Sequence, residues 1–296
     1  MKHKISIIIP CRNEEKYIVG CLDSLKEQTF IYPYEIIVVD GASTDHTKEL
    51  VKGYEVKIFD NPKKYTPISL NIGLANATGD IIIRIDSHSV YDNSYVFQCI
   101  KTLEVCGADL VGGMVIPISK NNTLESEAIL KCLYSRFGSG SDFRIMTNEV
   151  KETDTVFCGC FRKELIDRVG GYNENLIRSQ DMEFAMRVKK SGGKIIYNPE
   201  IVTFYYPKET LWEFLKHNIQ DGIWAIYPLK FGVKLKLRHY LPLMLVLTLP
   251  ISILPYLALN LYFSIRGKNI LLPFAFMCRH FGYGIGSLIG LKKLWI

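Results

Sequence analysis

Asp86 and His88 stand two residues apart in the stretch IIIRIDSHSVY, Ile81 to Tyr91. They follow directly on an apolar, β-branched run, Ile81-Ile82-Ile83-Arg84-Ile85, of the kind that fills a buried strand. A carboxylate and an imidazole just past the C-terminal end of a strand lie where open α/β sheets bind ligands. Asp86 can take a hydroxyl or a divalent cation, and His88 can ligate the same cation through a neutral imidazole. The plainer alternative is a polar turn, with Asp86 capping the next helix and His88 solvated, because D-x-H alone is short and frequent. A second titratable cluster, Arg178-Ser179-Gln180-Asp181-Met182-Glu183, opens a helical pattern that runs to Lys190. There Asp181 reads as a helix N-cap.

The elements that must carry these groups alternate. A strand at Ile5 to Pro10 precedes Cys11-Arg12-Asn13-Glu14-Glu15. Asn13 is placed to cap a helix that reaches about Gln28 and buries Ile18, Cys21, Leu22 and Leu25. A strand at Glu35 to Val39 ends in Asp40, and Asp45 can cap the helix after it. Cys11, Tyr17 and His46 read as structural. A strand at 56–59, a loop at 61–66 and a helix at 67–77 lead to the Ile81 strand. Strands alternating with helices at this spacing predict an α/β fold with a mostly parallel, doubly wound sheet. Beyond Asn93 the pattern gives a helix to Cys106, a strand at 109–116 and a helix at 124–137. Residues 138–154 are polar and glycine-containing, which predicts a mobile loop over the site. Strands at 156–161, 194–197 and 201–206 and a short helix at 163–169 complete this part.

Past Thr210 the character changes. Leu211 to Tyr227 is an aromatic-rich amphipathic helix, and Lys230 to His239 (KFGVKLKLRH) carries five basic residues, counting the histidine, and no acid. The 23 residues from Leu241 to Phe263 are uncharged, long enough to cross a hydrocarbon core, although Pro242, Pro250 and Pro255 would kink them. Ile270 to Leu291 is apolar but for Arg279 and His280. It reads as a second crossing with that pair facing protein, or as an interfacial segment. A basic collar before an apolar segment predicts a membrane surface as partner, with Lys292-Lys293 at a cytoplasmic end. Nothing resembles a nucleic-acid-binding motif, so no nucleic acid is expected. The eight scattered cysteines suit ordinary buried thiols, and Cys158-Gly159-Cys160 is too short a spacing for zinc. The expected domains are 1–209 catalytic, 210–240 interfacial and 241–296 membrane-associated.

Five pieces in order carry a family resemblance: IIIPCRNEEKYI (7–18), VVDGASTDHT (38–47), LNIGLANATGDIIIRIDSH (70–88), GCFRKELIDRVGGYNENL (159–176) and RSQDMEFAMRV (178–188). Over roughly Lys4 to Trp224 the chain resembles the family 2 glycosyltransferases. The D-x-H form and the tail are similar to the subgroup of succinoglycan-type exopolysaccharide transferases. The resemblance implies a GT-A fold, a Rossmann-like mixed sheet, and an inverting enzyme that uses a nucleotide sugar, commonly a UDP-sugar. By matched position Pro10, Arg12 and Glu14 line the nucleotide pocket and Asp40 contacts the base. Asp86 and His88 occupy the place of the family's D-x-D, which holds ribose and a metal-bound diphosphate. Asp181 stands at the general base, with Glu183 the runner-up, and Arg178 orients the loop or a phosphate.

The chemistry requires these types. A Mn²⁺ or Mg²⁺ ion offsets charge on a departing diphosphate, and an imidazole among the donors tilts the choice toward Mn²⁺. Inversion by single displacement needs one base and no covalent nucleophile. Gln180 replaces the usual acidic neighbour of Asp181 and removes a like charge. Gln220 to Trp224 loosely resembles the Q-x-x-R-W motif of processive synthases, but Ile223 stands in place of its arginine, which implies addition of one sugar. Trp224 can stack on an acceptor or anchor its helix. The expected acceptor is a lipid-linked glycan on the cytoplasmic face of the cell membrane, with polysaccharide-assembly proteins as further partners. The competing expectations are a polyprenyl-phosphate sugar synthase and an inactive nucleotide-sugar-binding subunit.

Overall fold

The computed structural model describes residues 3–29, 32–138 and 147–294. They fall into two compact units. One holds the residues up to Ile116 and from Thr147 to Tyr205; the other holds Pro117 to Gly138 and Tyr206 to Leu294. The segment from Pro117 to Gly138, expected within a 1–209 domain, therefore groups with the C-terminal helices.

The first unit runs β1 (Ile5–Cys11), α1 (Ile18–Lys26), β2 (Tyr34–Asp40), α2 (Thr47–Val51), β3 (Lys57–Asp60), α3 (Thr66–Asn76), β4 (Ile81–Arg84), β5 (Ser89–Tyr91), α4 (Tyr95–Cys106) and β6 (Leu110–Pro117). The chain passes through α5 (Leu124–Tyr134) of the second unit. It returns with β7 (Lys151–Glu152), β8 (Cys160–Arg162), α6 (Leu165–Val169), α7 (Gln180–Lys190) and β9 (Ile195–Tyr205). The strand order is β3-β2-β1-β4-β8-β6-β9-β5, with β7 paired to β9. The four strands β3, β2, β1 and β4 are parallel, and β8 pairs antiparallel with both β4 and β6. The sheet is thus mixed, as the family resemblance implies, and not mostly parallel as the alternation of elements predicts; α4, α5 and the α6–α7 pair lie between its later strands without making them parallel to β4. The two strands expected at 194–197 and 201–206 are one continuous β9.

Alternation along β1 sends Ile5, Ile7 and Ile9 into one core with Ile18, Cys21, Leu22 and Leu25 of α1 and Val96, Ile100 and Leu103 of α4. Ile8 enters the other core, with Leu70 and Leu74 of α3, Leu165 of α6 and Phe184 and Val188 of α7. Each such isoleucine is buried, a contribution of about 1.5–3 kcal/mol apiece. β4 is buried throughout, the reason its sequence lacks alternation.

The second unit is helical: α5, α8 (Leu211–Ile226), a 3₁₀ turn (Tyr227–Phe231), α9 (Leu237–Leu247), α10 (Leu249–Gly267) and α11 (Leu272–Leu294). The apolar run expected as one kinked segment breaks at Thr248, and Pro250 sits in the first turn of α10, where its missing N–H costs nothing. Pro242 and Pro255 lie inside α9 and α10. Among the described residues α10 is the one helix long and apolar enough to cross a membrane. Ala128, Ile129, Cys132, Phe214, Leu272, Ala275 and Phe276 make this unit's core. Arg279 bonds Asn218 and the Gly138 carbonyl, and His280 bonds the Phe137 carbonyl, so the ionisable pair of α11 faces protein.

In the sheet unit, a Cβ on Gly113 of β6 would collide with the backbone carbonyls of Ile201 and Asn198. Backbone cannot yield as a side chain can, so Gly113→Ala is expected to lower stability by about 3 kcal/mol or more. A urea-unfolding midpoint unchanged from wild type would show that β6 and β9 separate freely.

Candidate functional site

The four parallel strands end on one edge, and neighbours of β1 lie on both its sides, β2 and β4, so their loops border a switch in strand order. The β1–α1 and β2–α2 loops are stapled together. Asn13 has φ +56 and accepts the Thr44 amide at 2.8 Å, while the Glu14 amide donates to Thr47 Oγ1 at 2.7 Å. Asn13 therefore ties two loops instead of capping α1, whose N-cap is Tyr17. Asp45 accepts the Thr47 amide at 3.0 Å, the work of a cap, although His46 holds the N-cap position of α2.

Pro10 is buried in β1 opposite Val39, and Arg12 is exposed at the strand's end. Asp40, at the end of β2, is buried and accepts the Ser43 amide and hydroxyl at 3.1 and 2.5 Å. Glu14 Oε1 stands 3.2 Å from His88 Nδ1, which joins the loops after β1 and β4. The His88 ring packs edge-on to Tyr205, centroids 5.2 Å apart.

Arg84 is what the motif reading missed. It closes β4 and is 4 % exposed. One guanidinium nitrogen donates to Asp86 Oδ1 at 2.7 Å and another to Asp181 Oδ2 at 2.6 Å. Asp86 and Asp181, 95 positions apart in the chain, are thereby brought to one cation. The signal was visible: a lone charge within a run of isoleucines needs a buried partner. Tyr91 locks the other side of Asp86, accepting its amide at 2.8 Å and donating to its carbonyl at 3.2 Å.

Asp181 is not the N-cap of α7. Ser179 holds that position at φ +64, a left-handed conformation unusual outside glycine, and Asp181 follows two residues later. Its carboxylate turns to Arg84 and stays about 30 % exposed. Burial raises its pKa above the ordinary aspartate value; Arg84 pulls it back and the Asp86 charge adds to the rise. Burial likewise opposes the charge on Arg84, and Asp181 and Asp86 outweigh it. Glu183, the other candidate base, is 4 % exposed and held by Arg187 through two bonds of 2.7 and 2.9 Å. Arg178 is half-buried one residue before the Ser179 turn.

Trp224 is 9 % exposed, edge-on to Tyr227 at 5.3 Å and capped by Lys293 at 4.7 Å, so its ring is already occupied. Ile223 packs against Gly290 of α11, a structural task for the position where a processive motif would carry arginine. Residues 139–146 of the expected loop lie outside the described residues, and Lys151–Glu152 of the same stretch pairs with β9. Cys158 and Cys160 are buried free thiols whose pKa values burial pushes up.

Replacing Arg84 by methionine leaves two carboxylates beside each other with no counter-charge. Arg84→Met is expected to destabilise the fold by about 3 kcal/mol, the low end for a broken buried pair because both carboxylates retain some solvent. Chemical denaturation measures it.

Residues 6–170 match Glycosyl transferase family 2, more than half of the chain. A dolichyl N-acetyl-alpha-D-glucosaminyl phosphate 3-beta-D-2,3-diacetamido-2,3-dideoxy-beta-D-glucuronosyltransferase of Methanococcus voltae is 33 % identical over 74 % of this chain and 71 % of its own. Succinoglycan biosynthesis protein ExoA of Rhizobium meliloti is 26 % identical over 79 % of each, in line with the subgroup expected from sequence. Among solved structures, mannosyltransferase PcManGT of Pyrobaculum calidifontis aligns with a TM-score of 0.59 at 19 % identity, over all of this chain and 79 % of its own. S. aureus TarS 1-349 aligns at 0.54 and 17 %, over 98 % and 92 %. These likenesses show the fold. The chain belongs to glycosyl transferase family 2, and it is a glycosyltransferase with the GT-A fold.

Proposed function

We propose that the chain transfers a single sugar, with inversion, from a UDP-sugar to a hydroxyl of a lipid-linked glycan, working at the cytoplasmic face of a membrane. The observation that carries this reading is the grip of Arg84 on Asp86 and Asp181 at 2.7 and 2.6 Å. It unites the carboxylate placed for the donor with the carboxylate placed for the acceptor. The Methanococcus voltae relative is named for a lipid-phosphate-linked sugar and ExoA for succinoglycan biosynthesis, which supports such an acceptor. TarS is solved with UDP-GlcNAc and the Pyrobaculum enzyme with GDP-Man and Mn²⁺, which supports a nucleotide sugar and a divalent ion.

Pro10, Arg12, Glu14 and Asp40 border the nucleotide in this reading, and Arg178 orients the α7 approach or a phosphate. Asp86 and His88 are the donors for Mn²⁺ or Mg²⁺. No three His, Cys, Asp or Glu side chains converge on a metal site among the described residues. The pair would hold such an ion through the second Asp86 oxygen and the His88 imidazole, the first Asp86 oxygen being engaged by Arg84 already. The chemistry such an ion supplies is neutralisation of charge on the leaving diphosphate. Arg84 holds Asp181 Oδ2, which leaves its second oxygen to take the acceptor proton, and the partial exposure of the side chain lets an alcohol reach it.

Asp181→Asn is expected to lower UDP release from the donor by about 10²–10⁴-fold with lipid-linked acceptor present. Full activity in that variant would point instead to a polyprenyl phosphate acceptor, which needs no strong base. Nucleotide binding without turnover on any acceptor would point to a binding subunit.

The pH dependence follows from the raised pKa of Asp181. The reaction needs the ionised carboxylate, and burial favours the protonated one. The acid limb of kcat/KM is therefore expected above the ordinary aspartate value of about 3.9. A pH–rate profile of the wild type with its limb at or below that value would remove Asp181 as the base.

A further inference from the structure

Helix α10 is amphipathic in the opposite sense to a helix on a water-soluble surface. Its inward stripe, Tyr256, Asn260 and Ser264, is polar and buried. The Ser264 hydroxyl donates to Asn260 Oδ1 at 3.0 Å, and the Asn260 amide donates to the Pro273 carbonyl at 3.1 Å. The outward stripe is apolar: Ile251, Leu254, Leu261 and Ile265 are 83, 76, 58 and 67 % exposed. Leu237, Leu241 and Leu247 of α9 extend that surface. Polar groups satisfied internally with hydrocarbon outside is the arrangement that a lipid environment imposes.

Charge points to the same occupant. Asp221 is the last acidic residue, and nine Lys or Arg follow it. Lys230, Lys234, Lys236 and Arg238 crowd the approach to α9, while Arg266 and Lys268 close α10. A surface with bases at both borders of an apolar face complements an anionic leaflet.

By length α10 could cross a bilayer: 19 residues rise about 28 Å against a core of about 30 Å. Both its ends, however, are fastened to one helical body. Beyond its C-terminus the Asn269 amide donates to the Leu124 carbonyl at 3.2 Å and to Glu127 at 3.1 Å, at the start of α5. Before its N-terminus, α9 lies on the middle of α11, where a Cβ on Gly284 would strike the Pro242 carbonyl. α11 in turn runs along α8, Gly286 against Ile219 and Gly290 against Ile223. α8 carries Glu213, Lys216, His217 and Asp221, which keeps that pair out of hydrocarbon.

We propose that α9 and α10 enter one leaflet side-on, as an in-plane anchor for an anionic phospholipid bilayer, and that α10 does not cross it. This rests on the membrane-surface reading above and specifies how the surface is engaged.

The test uses the full chain and sealed phosphatidylcholine vesicles with and without phosphatidylglycerol. Flotation is expected to be about tenfold greater with the anionic lipid and to fall by a similar factor in Leu254→Asp/Ile265→Asp, whose circular dichroism stays that of wild type. Lys234→Cys and Lys268→Cys are then made with Cys106 and Cys278 replaced by serine. A membrane-impermeant maleimide is expected to tag both cysteines equally before detergent. Tagging of Lys268→Cys only after detergent would overturn the in-plane anchor and leave membrane attachment standing. Equal flotation on neutral and anionic vesicles would overturn the anionic preference. No flotation on either would overturn membrane attachment itself, and the anchor with it.

Discussion

A guanidinium sealed at the end of a strand cannot be left without counter-charge, and Arg84 meets that constraint with two carboxylates from distant parts of the chain. Much of the first unit can be understood from that requirement. β4 must be flanked on both sides so that Arg84 is kept from water, and β1 and β8 do so. α7 must begin where Asp181 reaches back to β4, and the left-handed Ser179 makes the turn that delivers it. Tyr91 must fix the Asp86 backbone, since a carboxylate held at one end only would swing. Strain at Ser179 and an ion triad at 4 % exposure of its centre are both costs borne at the proposed site.

What could be read in the sequence was mainly what is local. Ile5 to Ile9 announce a strand buried on both faces, and Ile18, Cys21, Leu22 and Leu25 a helix face, because each depends on periodicity alone. The motif residues at the ends of β1, β2 and β4 fall together because parallel neighbours bring their C-termini to one edge. What failed was what depends on contacts remote in sequence. Asn13 looked like a cap and instead joins Thr44, 31 residues on. For Asp181 the plainer alternative, a helix cap, falls in the same way: its carboxylate turns to Arg84, 97 residues back. The mixed direction of the sheet was implied by the family resemblance but not by periodicity, since a short strand such as Cys160–Arg162 has no sequence mark that tells parallel from antiparallel pairing.

The C-terminal half shows a different limit. Hydropathy found the apolar run but could not tell which side of it faces protein, since the polar minority of α10 points inward and its leucines point out. Arg279 and His280, which break the pattern of α11, are taken up by Asn218, Gly138 and Phe137 in the helical unit. Residues that look misplaced on a hydropathy plot are there the ones that organise the packing.

The glycine seam of α11 has one more consequence. Gly282, Gly286 and Gly290 bring its backbone against Leu215, Ile219 and Ile223 of α8, so the two helices touch main chain to main chain with little side-chain padding between them. Cutting the polypeptide before α11 would strip α8 along its length and leave bare carbonyls and isoleucines where a partner had been. Replacing the outer leucines of α9 and α10 therefore leaves that seam intact, whereas shortening the tail destroys it.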